Sequence, residues 1–139
     1  MRIQGKAITL ETDGFSDIHD ITADVRAAVR EAGVVAGLVN VFAVGSTASV
    51  TTIEFEPALV RDMGEALEQL WPRDMRSHHS QTWGDDNGFS HLRAAFLGPG
   101  TTVPVHDGEL VLGTWQQIVV IDHDNRPRTR NVFLQVVGE

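Results

Sequence analysis

A chain of 139 residues, 42% of them hydrophobic, is long enough to bury one substantial core and too short for two comfortable ones. Nineteen acidic residues against eleven basic ones give a formal net charge of -8, and Lys6 is the only lysine, which disfavours surfaces that neutralise nucleic-acid phosphates or anionic lipid. With no cysteine there are no disulfides, thiolate ligands or thiol nucleophiles, so any metal must be held by His, Asp, Glu or Asn.

Ile3 to Leu10 is rich in strand-favouring residues and runs into the turn-like Thr12-Asp13-Gly14, which predicts an opening strand. Ile18, Ile21, Val25, Ala28, Val29 and Ala32 then recur at helical spacing, with Asp17 or Asp20 available as N-cap and Gly33 as stop. Val39 to Val44 and Ala48 to Phe55 read as two strands around the tight connection Gly45-Ser46-Thr47. A second helix is expected from Pro57, suited to a first turn, to Trp71, with Pro72 ending it. Its apolar stripe is Leu59, Val60, Met63, Leu67, Leu70 and Trp71.

A polar loop follows from His78 to Phe89, then a short helical or turn segment around His91 to Phe96, and then the breaker Gly98-Pro99-Gly100. The last third reads as consecutive strands at Thr101 to Val105, Leu110 to Leu112, Trp115 to Ile121 and Asn131 to Val137, with turns at His106-Asp107-Gly108 and Asp122 to Pro127. Ile118 to Ile121 is apolar at every position, which suits a strand covered on both faces. The irregular order of strands and helices argues for one α+β domain over residues 1–139, with a mixed or largely antiparallel sheet and two main helices packed on it. No run approaches membrane-spanning length and residues 1–10 contain no long apolar stretch, so the cytoplasm is the expected location.

Chemistry concentrates between His78 and His91, where three of the six histidines share a short window with Asp85, Asp86 and Asn87. Imidazoles and carboxylates are what a metal site or an acid-base site needs, and His79 with His91 plus an oxygen ligand is a workable set if the loop folds back. A polar surface loop collects the same residues, and no local metal signature such as HExxH is present. Ser46 and Thr47 lie in a turn whose backbone amides can bind an anion, although a plain hairpin turn uses the same small residues. Glu56 is placed to cap the second helix, which leaves Glu54 as the better functional carboxylate, with Arg93 as its partner or as a holder of an anionic substrate. Trp115, followed by Gln116 and Gln117, reads as core, interface or pocket wall. Arg126, Arg128 and Arg130 alternate, which puts all three on one face of a strand where a small anion could meet them, although a solvated strand face is the favoured reading.

Gly45-Ser46-Thr47-Ala48, Ile53-Glu54, Asp86-Asn87-Gly88, Ser90-His91-Leu92-Arg93, Leu97-Gly98-Pro99, Val103-Pro104, Asp107-Gly108 and Leu112-Gly113-Thr114-Trp115-Gln116 occur in the order in which the YjbQ-like family carries similar elements. The resemblance spans almost the whole chain, and members are often labelled secondary thiamine-phosphate synthase. It implies a compact α+β fold assembling as a homotrimer, a small-molecule ligand that is anionic, and weak thiamine-phosphate synthase activity. It also implies a metal-binding histidine trio, in which His79 and His91 match the second and third members while Gly45 stands at the first. Phe89 likewise stands where one branch of the family has a histidine. On this reading the site comprises His91, Glu54, Asp86 and Arg93 for chemistry, Ser46, Thr47, Asn87, Trp115 and Gln116 for the ligand, and His79 with His91 for a divalent metal ion. The alternative is a non-catalytic trimeric module for ligand binding or structure.

Overall fold

The computed structural model describes residues 1–139. The elements run β1 (Arg2–Thr12), β2 (Asp17–Asp20), α1 (Thr22–Ala32), β3 (Gly37–Ala43), β4 (Ala48–Ile53), α2 (Pro57–Leu70), α3 (His78–Trp83), α4 (Gly88–Leu97), β5 (Gly100–His106), β6 (Glu109–Leu110), β7 (Gln117–Asp122) and β8 (Arg128–Gly138). They build two antiparallel sheets, one in the order β1-β8-β3-β5-β6 and one in the order β2-β7-β4.

Period-two alternation decides which face each strand buries. Val132, Leu134 and Val136 of β8, Val39 and Val41 of β3, and Val103 and Val105 of β5 point into a core shared with Val50 of β4 and Ile118 and Val120 of β7. Val25, Ala28, Val29 and Ala32 put one stripe of α1 into the same core. Each fully buried branched side chain there contributes about 1.5–3 kcal/mol. Ile18, Val119 and Ile121 face the other way and meet Val60 and Met63 of α2 and Leu97 of α4. Both faces of β7 are therefore covered, as its unbroken apolar run predicts.

The antiparallel α+β class agrees with the sequence reading, while three details differ. There are two sheets where one was expected. The segment before α1 is the strand β2, because Ile18 pairs with Ile121 on the small sheet, so helix begins only after Ile21. Asp20 still serves the helix start, its carboxylate accepting from Thr22 N and Oγ1. The polar loop contains the short helix α3, started by Ser77, whose hydroxyl accepts from Ser80 N, and stopped by Gly84 at φ 69°.

The outer face of the large sheet carries Ile3, Leu38, Phe42, Val44 and Phe133, all exposed. The Phe133 ring lies across Gly5, where a Cβ would come within 2.6 Å of it. No helix is long and apolar enough to cross a membrane.

Candidate functional site

Where β7 ends, the apolar run gives way to Asp122, His123 and Asp124, and all three side chains are sealed from solvent. Charges so buried persist only when paired. Arg130, on an inward-facing position of β8, forks Asp122 with Nε to Oδ2 at 2.7 Å and Nη2 to Oδ1 at 2.8 Å. Thr12 Oγ1 and the N–H of Asp124 also donate to Asp122. Burial alone would raise this carboxyl, but the Arg130, Thr12 and Asp124 donors hold it below the ordinary aspartate value. Asp124 is likewise held low against burial, by its bonds from Asn125 N, Asn87 Nδ2 and Arg128.

His123 lies between two serines, with Nδ1 2.8 Å from Ser16 Oγ and Nε2 2.9 Å from Ser49 Oγ. Arg93 Nη1 also donates to Ser16 Oγ, so this hydroxyl links the imidazole to the guanidinium. Burial, reinforced by the Arg93 charge, pushes the His123 pKa down to about 3. The imidazole is neutral at every physiological pH.

Arg93 is itself buried, and its position corrects the expected pairing with Glu54. It bonds Glu68 Oε2 at 2.8 Å and the Trp71 carbonyl at the end of α2, and it stacks over the Phe89 ring at 4.9 Å. Arg130 corrects the reading of a solvated arginine face, since β8 turns that position inward beside Val132 and Leu134.

Over this network lies the His-bearing surface. α3 and α4 bring His79 and His91 together with ring centroids 4.4 Å apart, although they lie twelve positions apart in sequence. His79 Nδ1 is 3.3 Å from Asp85 Oδ1, without the alignment of a hydrogen bond, and Asn87 Oδ1 is buried with no partner. His91 lines a cavity of about 380 Å³ with Gly45, Ser46, Ala48, Ala94, Ala95 and Pro99. On its other side it borders a second cavity of about 300 Å³ with Ser77, His79, Gly88 and Leu92. Burial lowers the His91 pKa and the neighbouring His79 lowers it further, against the Asp124 and Asp85 charges that raise it. His91 therefore reaches the cavity as a neutral base near pH 7.

Thr47, Asn87 and Ser46 belong with this group, because Thr47 Oγ1 and Asn87 Nδ2 both donate to Asp124 and Ser46 lines the His91 cavity. Asp86, exposed at φ 55°, faces away into a cavity of about 590 Å³ with Arg73, Arg76 and Ser80. Glu54 and Trp115 line a separate cavity of about 350 Å³, and Gln116 bonds Thr52 Oγ1 near the same end of β4. Six residues of β4 separate that end from Ser46, roughly 20 Å of strand. The sequence candidates thus fall into two groups, one around His91 and one around Glu54, with Asp86 and Arg93 outside both.

A divalent ion, implied by the family resemblance, needs three or more donors. His79 and His91 supply imidazoles, but no group of three His, Asp or Glu side chains converges here. His79 and His91 are the residues that would hold such an ion, and no step below is routed through it.

The antiparallel two-sheet fold, with a His pair above a buried Asp-His-Asp network, defines a small α+β protein with a compact polar site. Residues 6–139 match the model of the UPF0047 protein YjbQ-like family, and the chain belongs to that family. A UPF0047 protein of Methanothermobacter thermautotrophicus is 35% identical, covering 100% of this chain and 95% of the relative. One from Archaeoglobus fulgidus is 36% identical over 94% of this chain and 98% of its own length. Among solved structures, a YbjQ-like protein of unknown function from Sulfolobus solfataricus superposes with a TM-score of 0.93 at 30% identity, covering 99% of both chains. A hypothetical protein from Aeropyrum pernix gives 0.90 at 30% identity, covering 98% of this chain and 99% of that one.

Proposed function

We propose that this chain is a cytoplasmic small-molecule enzyme in which His91 serves as general acid-base on a small phosphorylated or carboxylated compound held in the cavity beside Gly45 and Ser46. The observation that carries this reading is the neutral, half-buried imidazole of His91 opening into that cavity, with the Asp124 charge behind it. His79 packs against His91 with its ring tilted by 43°, and Asn87 and Thr47 are tied down by Asp124. Weak thiamine-phosphate synthase activity fits as a side reaction at most. A departing pyrophosphate needs cations, and Arg93 is spent on Glu68, Trp71 and Ser16.

The test is turnover of a panel of phosphorylated and carboxylated compounds, followed by 31P NMR and mass spectrometry. His91→Ala is expected to lose on the order of 10²–10⁴-fold in rate while keeping the unfolding midpoint. Turnover unaffected by that change would remove His91 from the chemistry. No turnover by the wild type, with ligand binding intact, would instead favour a binding module.

We further propose that the working form is a homotrimer joined through the outer face of the large sheet, where Leu38, Phe42, Val44 and Phe133 are exposed together. Phe42→Glu is expected to shift the sedimentation coefficient from trimer to monomer. A wild type that sediments as a monomer at micromolar concentration contradicts the assembly.

A further inference from the structure

Arg130 is buried, yet its hydrogen bonds account for only part of the guanidinium. Nε and Nη2 are committed to Asp122 and Thr47 Oγ1, while Nη1 donates to nothing in the protein. The side-chain atoms that are both sealed and unpartnered are His79 Nδ1 and Asn87 Oδ1, so Nη1 reaches solvent even though the residue as a whole is only 8% exposed. The exit lies beside Gly45. A Cβ built there would sit 2.9 Å from Nη1, so any side chain at position 45 would crowd that nitrogen. Gly45 and Ser46 also wall the His91 cavity, and no acceptor within the protein takes the backbone N–H groups of Gly45, Ser46 or Thr47.

We infer that Arg130 Nη1 and the Gly45–Thr47 amides form the anchor for the phosphoryl group of the ligand, opened by the absence of a side chain at position 45. This rests on the proposal that the cavity holds a small anionic compound and adds where the anion sits and of which kind it is. A guanidinium edge and three amides together offer more donors than the two oxygens of a carboxylate can use, whereas a phosphate monoester presents three terminal oxygens. Much of the Arg130 charge is offset by Asp122, so the anchor selects by directed donors more than by net charge. An anion held there also stands near His91, where it favours the protonated imidazole and primes it as an acid.

The experiment titrates the full-length protein with inorganic phosphate by calorimetry and follows the His91 imidazole by NMR. Saturable phosphate binding with a rise in the His91 pKa is expected, and acetate is expected to bind at least tenfold more weakly. Gly45→Ala should weaken phosphate at least tenfold while leaving the His91 pKa of the free protein in place. Should that variant fold poorly, Arg130→Lys, which keeps a charge for Asp122 but lacks the second face of the fork, is expected to show the same loss. Phosphate that binds both variants as it binds the wild type, or acetate that binds equally well, overturns the anchor. His91→Ala separates the two proposals, because it should lose turnover and retain phosphate. Turnover that depends on His91 in a protein with no phosphate affinity would sink the anchor alone.

Discussion

Arg130→Met is expected to lower the free energy of unfolding by about 3–5 kcal/mol, read from urea denaturation, because it leaves the Asp122 carboxylate buried without its counter-charge. The methionine fills most of the volume, so the loss reports the orphaned charge more than a cavity. Combining it with Asp122→Leu should recover much of the loss, since a matched pair of apolar residues in place of a buried ion pair is often neutral. A single variant within about 1 kcal/mol of wild type would show that the fork does not hold the network together. The exposed pair of Lys6 and Glu31, with Nζ and Oε2 2.6 Å apart, gives the contrast: removing it should cost roughly 0–1 kcal/mol.

The second large effect is on acid stability. An unfolded histidine takes up a proton near pH 6.5, whereas His123 in the folded chain stays neutral down to about pH 3. Between those values the unfolded state binds more protons, so stability falls as pH falls, by up to about 1.4 kcal/mol per pH unit. His91, also held low by burial, adds in the same direction. Below about pH 3.9 the unfolded chain protonates its aspartates ahead of Asp122 and Asp124, and further stability is lost as pH drops through their depressed values. His123→Gln offers an acceptor and a donor to Ser16 and Ser49 without titrating. Urea midpoints at pH 7, 5.5 and 4.5 should show a flatter profile for this variant than for the wild type, and parallel profiles would remove His123 as the source.

Much of the fold was legible because it is written in local pattern. Ile118 to Ile121 announces a strand covered on both faces, the stripe Val25, Ala28, Val29 and Ala32 announces α1, and Glu56 caps α2 by accepting from the N–H groups of Ala58 and Leu59. The division into two sheets was not legible, since strand pairing is set by partners far away in sequence. The buried network was hidden for a related reason. Asp122-His123-Asp124-Asn125 has the composition of a turn, and what makes it interior is Arg130 arriving from β8 and Arg93 from α4. One clue was available: Arg130 alternates in step with Val132, Leu134 and Val136, which places it on the buried side of its strand. The approach of His79 to His91 was anticipated only as a condition on loop folding, and α3 and α4 supply that fold. Trp115, 72% exposed beside Glu54, lies outside the His91 cavity because β4 holds the two regions at opposite ends.

The placement of β8 also shapes how the chain must reach its native state. Last in sequence among the twelve elements, it is the middle partner of β1 and β3, pairing Arg2 with Gly138 at one end and Thr12 with Arg128 at the other. During synthesis, β1 and β3 must wait with open backbone edges until β8 leaves the ribosome, and the Asp122 charge must wait for Arg130. Such a topology closes over long loops, which favours slow folding on the millisecond to second scale and a late, cooperative step in which sheet and polar network lock together. Nascent chains stalled before Arg128 should therefore be protease-sensitive throughout.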